Sequence, residues 1–97
     1  MISITVRGVR NTVAEIEREL SRVVDQIAMD TKQVAVEKTP IDQGRARRGW
    51  DLSKSGKDWR ISNRVPYITH LEAGHSKQAP NGITGPTVRE ISSRRYR

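Results

Sequence analysis

At the start of the chain, Ile2, Ile4 and Val6 alternate with Ser3, Thr5 and Arg7, the period-two pattern of a strand with one buried face. A strand over about 2–7 is expected. Gly8 and Asn11 interrupt the alternation, and Thr12 followed by Glu15 has the form of a capping box at a helix start. Val13, Ile16, Leu20, Val23, Ile27, Thr31 and Val34 then recur at three- and four-residue steps until Pro40, which biases Thr39 out of the helical region. One long helix over about 12–38 follows, reaching about 40 Å at 1.5 Å per residue. That is longer than a compact domain of this size is wide, so part of it is expected to lie against something else. Met29 and Val36 fall on the side opposite the Ile16–Ile27–Val34 stripe, where they suggest a second packing surface such as a neighbouring subunit, or isolated surface apolar residues.

Beyond Pro40, Trp50 and Leu52 alternate with Asp51 and Ser53, and Trp59 and Ile61 with Arg60 and Ser62, around a Gly56-containing loop. This predicts a hairpin over about 49–63 with both indoles on the aliphatic face, beneath the long helix. Pro66 suits the first position of a short helix over about 66–73, with Tyr67, Ile68 and Leu71 apolar and Gly74 just past its end. Residues 75–97 read as an exposed loop and tail, in which TVREI is a last strand or helical turn and SSRRYR a solvated basic end. The fold class is α+β: one long N-terminal helix on a small antiparallel sheet, with a second short helix.

Composition sharpens this reading in one respect. The chain of 97 residues is one domain by length, yet only 34% of it is apolar and it has no Phe, two Trp and two Tyr. So small and aromatic-poor a core favours stabilisation by self-association. The absence of cysteine removes disulfides, zinc knuckles and thiol chemistry. No run approaches membrane-spanning length and MISITVRGVR lacks a secretory hydrophobic stretch, so a soluble protein made in the cytoplasm is expected. Charge is uneven: residues 1–43 carry six Lys/Arg and seven Asp/Glu, residues 44–97 twelve and four. Such a basic half suits either phosphate or an acidic neighbour in an assembly.

Candidate chemistry is sparse. His70, Glu72 and His75 are metal-ligand and proton-transfer types, but His70 and Glu72 are two apart and diverge on a helix, and His75 lies beyond its expected end. A cap or an intersubunit hydrogen bond fits them better. No serine has a glycine-framed nucleophile turn and no glycine pattern makes a phosphate loop, so an enzyme is not expected. Arg45, Arg47 and Arg48 form the strongest basic cluster, beside Trp50, an indole able to stack on a base. The indole is better used in the core, and guanidinium forks at a helix–hairpin junction can fasten acidic neighbours. Contact with a phosphate backbone stays open. Within this segment Asp42 is expected to hold a turn through backbone hydrogen bonds and Gly44 to supply unusual dihedrals.

With these residues in place, most of the chain after the first strand resembles the tail-completion or head-to-tail joining proteins of long-tailed phages, the lambdoid gene-product-ten family. Thr39, Pro40, Ile41, Asp42, Gly44, Arg47 and Trp50 match its segment after the long helix. Asn63, Tyr67, Leu71, Glu72 and Gly74 match its hairpin end and following helix, and Gln78, Ala79, Pro80 and Gly82 its later turn. Gln43, Ala46, Gly49 and Ile68 depart from its usual Thr, Leu, Ser and Ala. The resemblance implies a virion protein of the neck or tail, assembled in the host cytoplasm, with no cofactor, no metal, no catalysis and no membrane. It implies a homo-oligomeric ring, a hexamer, between the head connector or adaptor and the tail-tube or terminator proteins, with DNA passing non-specifically through its channel. Arg45, Arg47, Arg48, Met29 and Val36 are the candidate interface or channel residues; the alternative is a small basic nucleic-acid-binding protein.

Overall fold

The expected strand forms as β1 (Ile2–Val6), the hairpin as β2 (Trp50–Ser55) and β3 (Asp58–Asn63), and the long helix as α1 (Ala14–Lys38). The computed structural model describes residues 1–41 and 44–96. Among them the three strands make one antiparallel sheet in the order β1-β3-β2. The register sets Ile4 and Leu52 on either side of Ile61, Ile2 and Trp50 on either side of Asn63, and Val6 and Lys54 on either side of Trp59. Directly paired residues share a face, so both indoles do lie on the aliphatic side. The fold is α+β, with α1 packed on this sheet face.

The remaining helices are α2 (Gly44–Arg48), α3 (Ile68–Glu72) and α4 (Thr84–Ser93). Ala35, Ala46, Trp50, Ile61, Ile68, Leu71 and Ile83 form the buried cluster, so the core gathers beneath the C-terminal half of α1. The buried residues of α1 are Val24, Ala28, Thr31, Val34 and Ala35. The first half of the expected stripe is not covered: Val13 and Ile16 are 50% and 45% exposed. A radius of gyration of 14.5 Å, with extents of 47 × 24 × 17 Å, exceeds the roughly 13 Å of a compact chain of about 100 residues. The helix overhangs its own core, as its length suggested.

Four expectations change. Helix α1 starts at Ala14, and the Thr12–Glu15 capping box does not form: the Val13 N–H donates instead to Asn11 Oδ1 at 2.9 Å. Asn11 is a good acceptor two residues upstream, and that local bond competes with the box. Val36, read as part of a back-side spot, packs against the core cluster, whereas Met29 is 54% exposed. The sheet, α2 and α4 pack on α1 from more than one side, so the single-stripe picture fails there.

The region over 75–97 is not only loop and tail. It contains α4, which packs on α1. Lys38 Nζ lies 3.1 Å from Glu90 Oε1, Arg94 pairs with both Glu90 and Asp30, and the Tyr96 hydroxyl donates to Asp30 Oδ2 at 2.8 Å. The order of these contacts, from Glu90 at Lys38 to Tyr96 at Asp30, makes α4 antiparallel to α1. Tyr96 is therefore docked on α1, while Arg94 pairs with Asp30 and Glu90 and stays exposed, as expected of the basic end. Burial and the bond to Asp30 push the Tyr96 phenol above its usual pKa.

Candidate functional site

The segment that carries the arginine cluster is built around the end of α1. Thr39, fully buried, donates its hydroxyl to the Ala35 carbonyl at 2.7 Å and accepts the Trp50 indole N–H at 2.8 Å. One hydroxyl thus ends the helix and fixes the first residue of β2. Helix ends leave carbonyls without intrahelical donors, and Arg47 supplies donors from α2: Nε to the Thr39 carbonyl at 2.8 Å and an Nη to the Glu37 carbonyl at 3.3 Å. A cation there also complements the negative end of the helix dipole. Asn63 Nδ2 donates to the Ala46 carbonyl at 2.8 Å, while its Oδ1 accepts the Val65 N–H at 3.0 Å, tying the end of β3 to α2 and to the next loop. Gly49 fits here because a Cβ on it would stand 2.4 Å from Val65 Cγ2.

Gly44 does not serve as expected. It begins α2, and among the described residues the glycines with positive φ are Gly56, Gly74 and Gly82. Asp42 lies outside the described residues. Pro40 is buried and follows the last helical turn, as its ring predicts.

A second joint is centred on Glu72. Its Oε1 accepts the backbone N–H groups of Ile83 at 2.6 Å and Thr84 at 3.0 Å, and its Oε2 accepts the Thr84 hydroxyl. These are the first turn of α4, which has no side-chain cap of its own. The carboxylate therefore caps α4 from α3, with its charge at the positive end of the helix dipole. The approach is possible because Gly74 (φ +88°) and Gly82 (φ +81°) lack Cβ atoms: on Gly74 one would sit 2.5 Å from the Pro80 carbonyl oxygen, on Gly82 2.5 Å from the Glu72 carbonyl oxygen. Tyr67 packs against the core, and its buried hydroxyl has no partner among the described residues.

The cations divide into two groups. Arg47 is used up by carbonyls, and Lys54 and Lys57 of the hairpin pair with Asp25 and Glu17 of α1. Lys54 also lies 5.2 Å over the Trp59 ring, whose N–H donates to Asp25 at 2.9 Å. The basic half of the sequence thus neutralises acids of the other half. Arg45 and Arg48 are exposed and make no ion pair among the described residues, and neither does exposed Arg64, next to the Asn63 that is bonded to α2. Arg45 and Arg48 on α2, just before Trp50, and Arg64, just after Asn63, adjoin in sequence the end of the sheet where Trp50 and Asn63 pair. His70 and His75 stack with ring centroids 4.5 Å apart, but Glu72 is committed to α4, and among the described residues no group of three or more His, Cys, Asp or Glu could hold a metal ion. No described helix is long and apolar enough to cross a membrane.

Of the residues singled out from the sequence, Thr39, Arg47, Trp50 and Asn63 converge on the first joint, and Glu72 and Gly74 on the second. Met29 stands apart from both, exposed on α1. Sequence reasoning missed the two capping roles, because Arg47 and Glu72 act across 8 and 12 residues on Thr39 and Thr84. Helix α4 left one signal, Val88 and Ile91 three apart just after Pro86, which is tolerated early in a helix. Neither a family model, nor a curated protein, nor a solved structure matches the chain.

Proposed function

We propose that this chain is a structural subunit of a phage neck, forming a hexameric ring that completes the tail and joins it to the head connector, with DNA passing through the channel. The observation that carries this reading is what the resembling motifs are used for. Their described residues hold a helix end, a hairpin and a capped helix in fixed relation, through buried side-chain bonds to backbone. A scaffold of this kind suits a part that must keep its shape within an assembly. The overhanging half of α1 supports the same reading, since an extended body with uncovered apolar residues suits subunits that interlock and close by rotation. Arg45, Arg48 and Arg64, free of acidic partners among the described residues, are then the side chains available to phosphate along the channel wall.

The test is electron microscopy and sedimentation of the purified protein, alone and with neck or tail particles. Rings, or density bound at the neck, are expected. A protein that stays monomeric at high concentration and binds no such particle would sink the proposal. The free arginines also favour a second reading, a small nucleic-acid-binding protein. That reading requires DNA or RNA affinity by the isolated chain that falls steeply with salt; no binding at low salt removes it.

A further inference from the structure

The part of α1 that overhangs the core carries Val13, Ile16, Leu20 and Val23 at alternating steps of three and four, a continuous apolar seam. Val13 and Ile16 are about half exposed, and a groove of about 490 Å³ continues the seam between Leu20, Val23 and Tyr96. Glu15 and Glu19 border this seam, with Arg22 on the wall of the same groove, and neither carboxylate has an ion-pair partner among the described residues. Parallel, in-register pairing of the seam with itself would bring each of these carboxylates against its own copy, a like-charge contact that costs energy. The seam calls for an apolar surface bordered by cations.

The chain carries such a surface elsewhere. A shallow groove of about 550 Å³ runs between β1 and α4, with Ile4, Gly85 and Val88 on its floor and Arg89 on its edge. Val88 is 46% exposed, Arg89 has no ion-pair partner among the described residues, and Arg60 lies directly across from Thr5 on the neighbouring strand. No acidic residue lines it. The seam lies at the hairpin-turn end, where Glu17 meets Lys57, whereas the groove starts where Glu72 holds the first turn of α4.

We infer that the acidic-flanked seam of α1 in one copy docks into the β1–α4 groove of the next copy, a head-to-tail contact between two different patches. Such a contact repeats from copy to copy and closes only as a ring or runs on as a filament. The inference rests on the ring reading above and names the surfaces that build it.

The test uses the full chain, with wild type run alongside Ile16→Asp and Val88→Asp in analytical ultracentrifugation. Both sites are exposed in the single subunit, so circular dichroism is expected to stay unchanged. Each variant is expected to need at least about tenfold more protein to assemble. Mixing them should give a two-subunit complex and nothing larger, because the intact seam of one fits the intact groove of the other. A charge-exchange set gives an independent readout: Arg89→Glu and Glu19→Arg each weaken assembly, and the double variant restores it. Wild-type rings with either apolar variant assembling normally, or with a mixture that stays monomeric, would overturn this contact while leaving the ring reading standing. A monomeric wild type would overturn both.

Discussion

The two halves of α1 differ in how they are held. From Val24 onward, Ala28, Thr31, Val34 and Ala35 are buried, and the helix ends in bonds from Thr39, Trp50 and Arg47. Before Val24, Val13 and Ile16 face solvent and Leu20 and Val23 are half-buried, and the main anchors of that half to the rest of the chain are the Lys57–Glu17 pair and the Tyr96 side chain. The same amphipathic pattern thus serves two ends. In one half it is consumed by the chain's own core; in the other the chain leaves it largely uncovered. Matching the motif residues to the buried half teaches that recognisable sequence marks the scaffold, whereas the surface proposed above for contact with a second copy is written in ordinary Val, Ile and Glu.

Substitutions in the two halves should therefore separate folding from assembly. The largest effect is expected at Trp50, where Trp50→Ala removes a buried indole and its bond to Thr39, with a loss of about 3–5 kcal/mol in urea unfolding. A loss under about 1 kcal/mol would mean that the helix end is not the stability centre. Next, Glu72→Ala strips α4 of its remote cap and leaves N–H groups unpaired, for about 1–3 kcal/mol. Hydrogen exchange should show α4 amides losing protection before those of β3. Gly82→Ala tests the same joint by strain at positive φ and by the close Glu72 carbonyl, with a cost of about 1–3 kcal/mol. Stability equal to wild type would show that Gly82 is not needed for the approach.

Smaller effects are expected outside the joints. Ile16→Ser, on the overhang, should change subunit stability by less than about 0.5 kcal/mol, the sharpest contrast with Trp50→Ala. The α1–α4 contact has a pH dependence of definite sign. Lys38, by hydrogen bond first and by charge, holds the Glu90 carboxyl below its ordinary pKa, with Arg94 acting in the same direction. A lowered pKa means that the contribution is present above the unfolded-state value and is lost as pH falls through the folded one. Acid titration followed by nuclear magnetic resonance should find α4 loosening only below the usual carboxylate range, and less steeply in Glu90→Gln. Because Glu90 is at the surface, the effect is the smallest of the set.

Periodicity alone was enough to place β1, the hairpin with its two inward indoles, and α1 to within two residues, since each is decided by local alternation or helical spacing. It also showed that α1 is too long for one core. What it could not decide is which part of the apolar stripe is covered, because that depends on where the sheet, α2 and α4 sit along the helix. Val36, opposite the stripe, is covered for that reason. The roles of Arg47 and Glu72 were equally out of reach: a helix end accepts any donor or acceptor the fold brings to it, and the sequence marks no partner across 8 or 12 positions. Charge shows the same division. The net charge of +7 is fixed by composition. Folding alone determines that Lys54, Lys57 and Arg94 are spent on α1 and that Arg45, Arg48 and Arg64 are left outward, because ion pairs form only between groups that packing brings within reach.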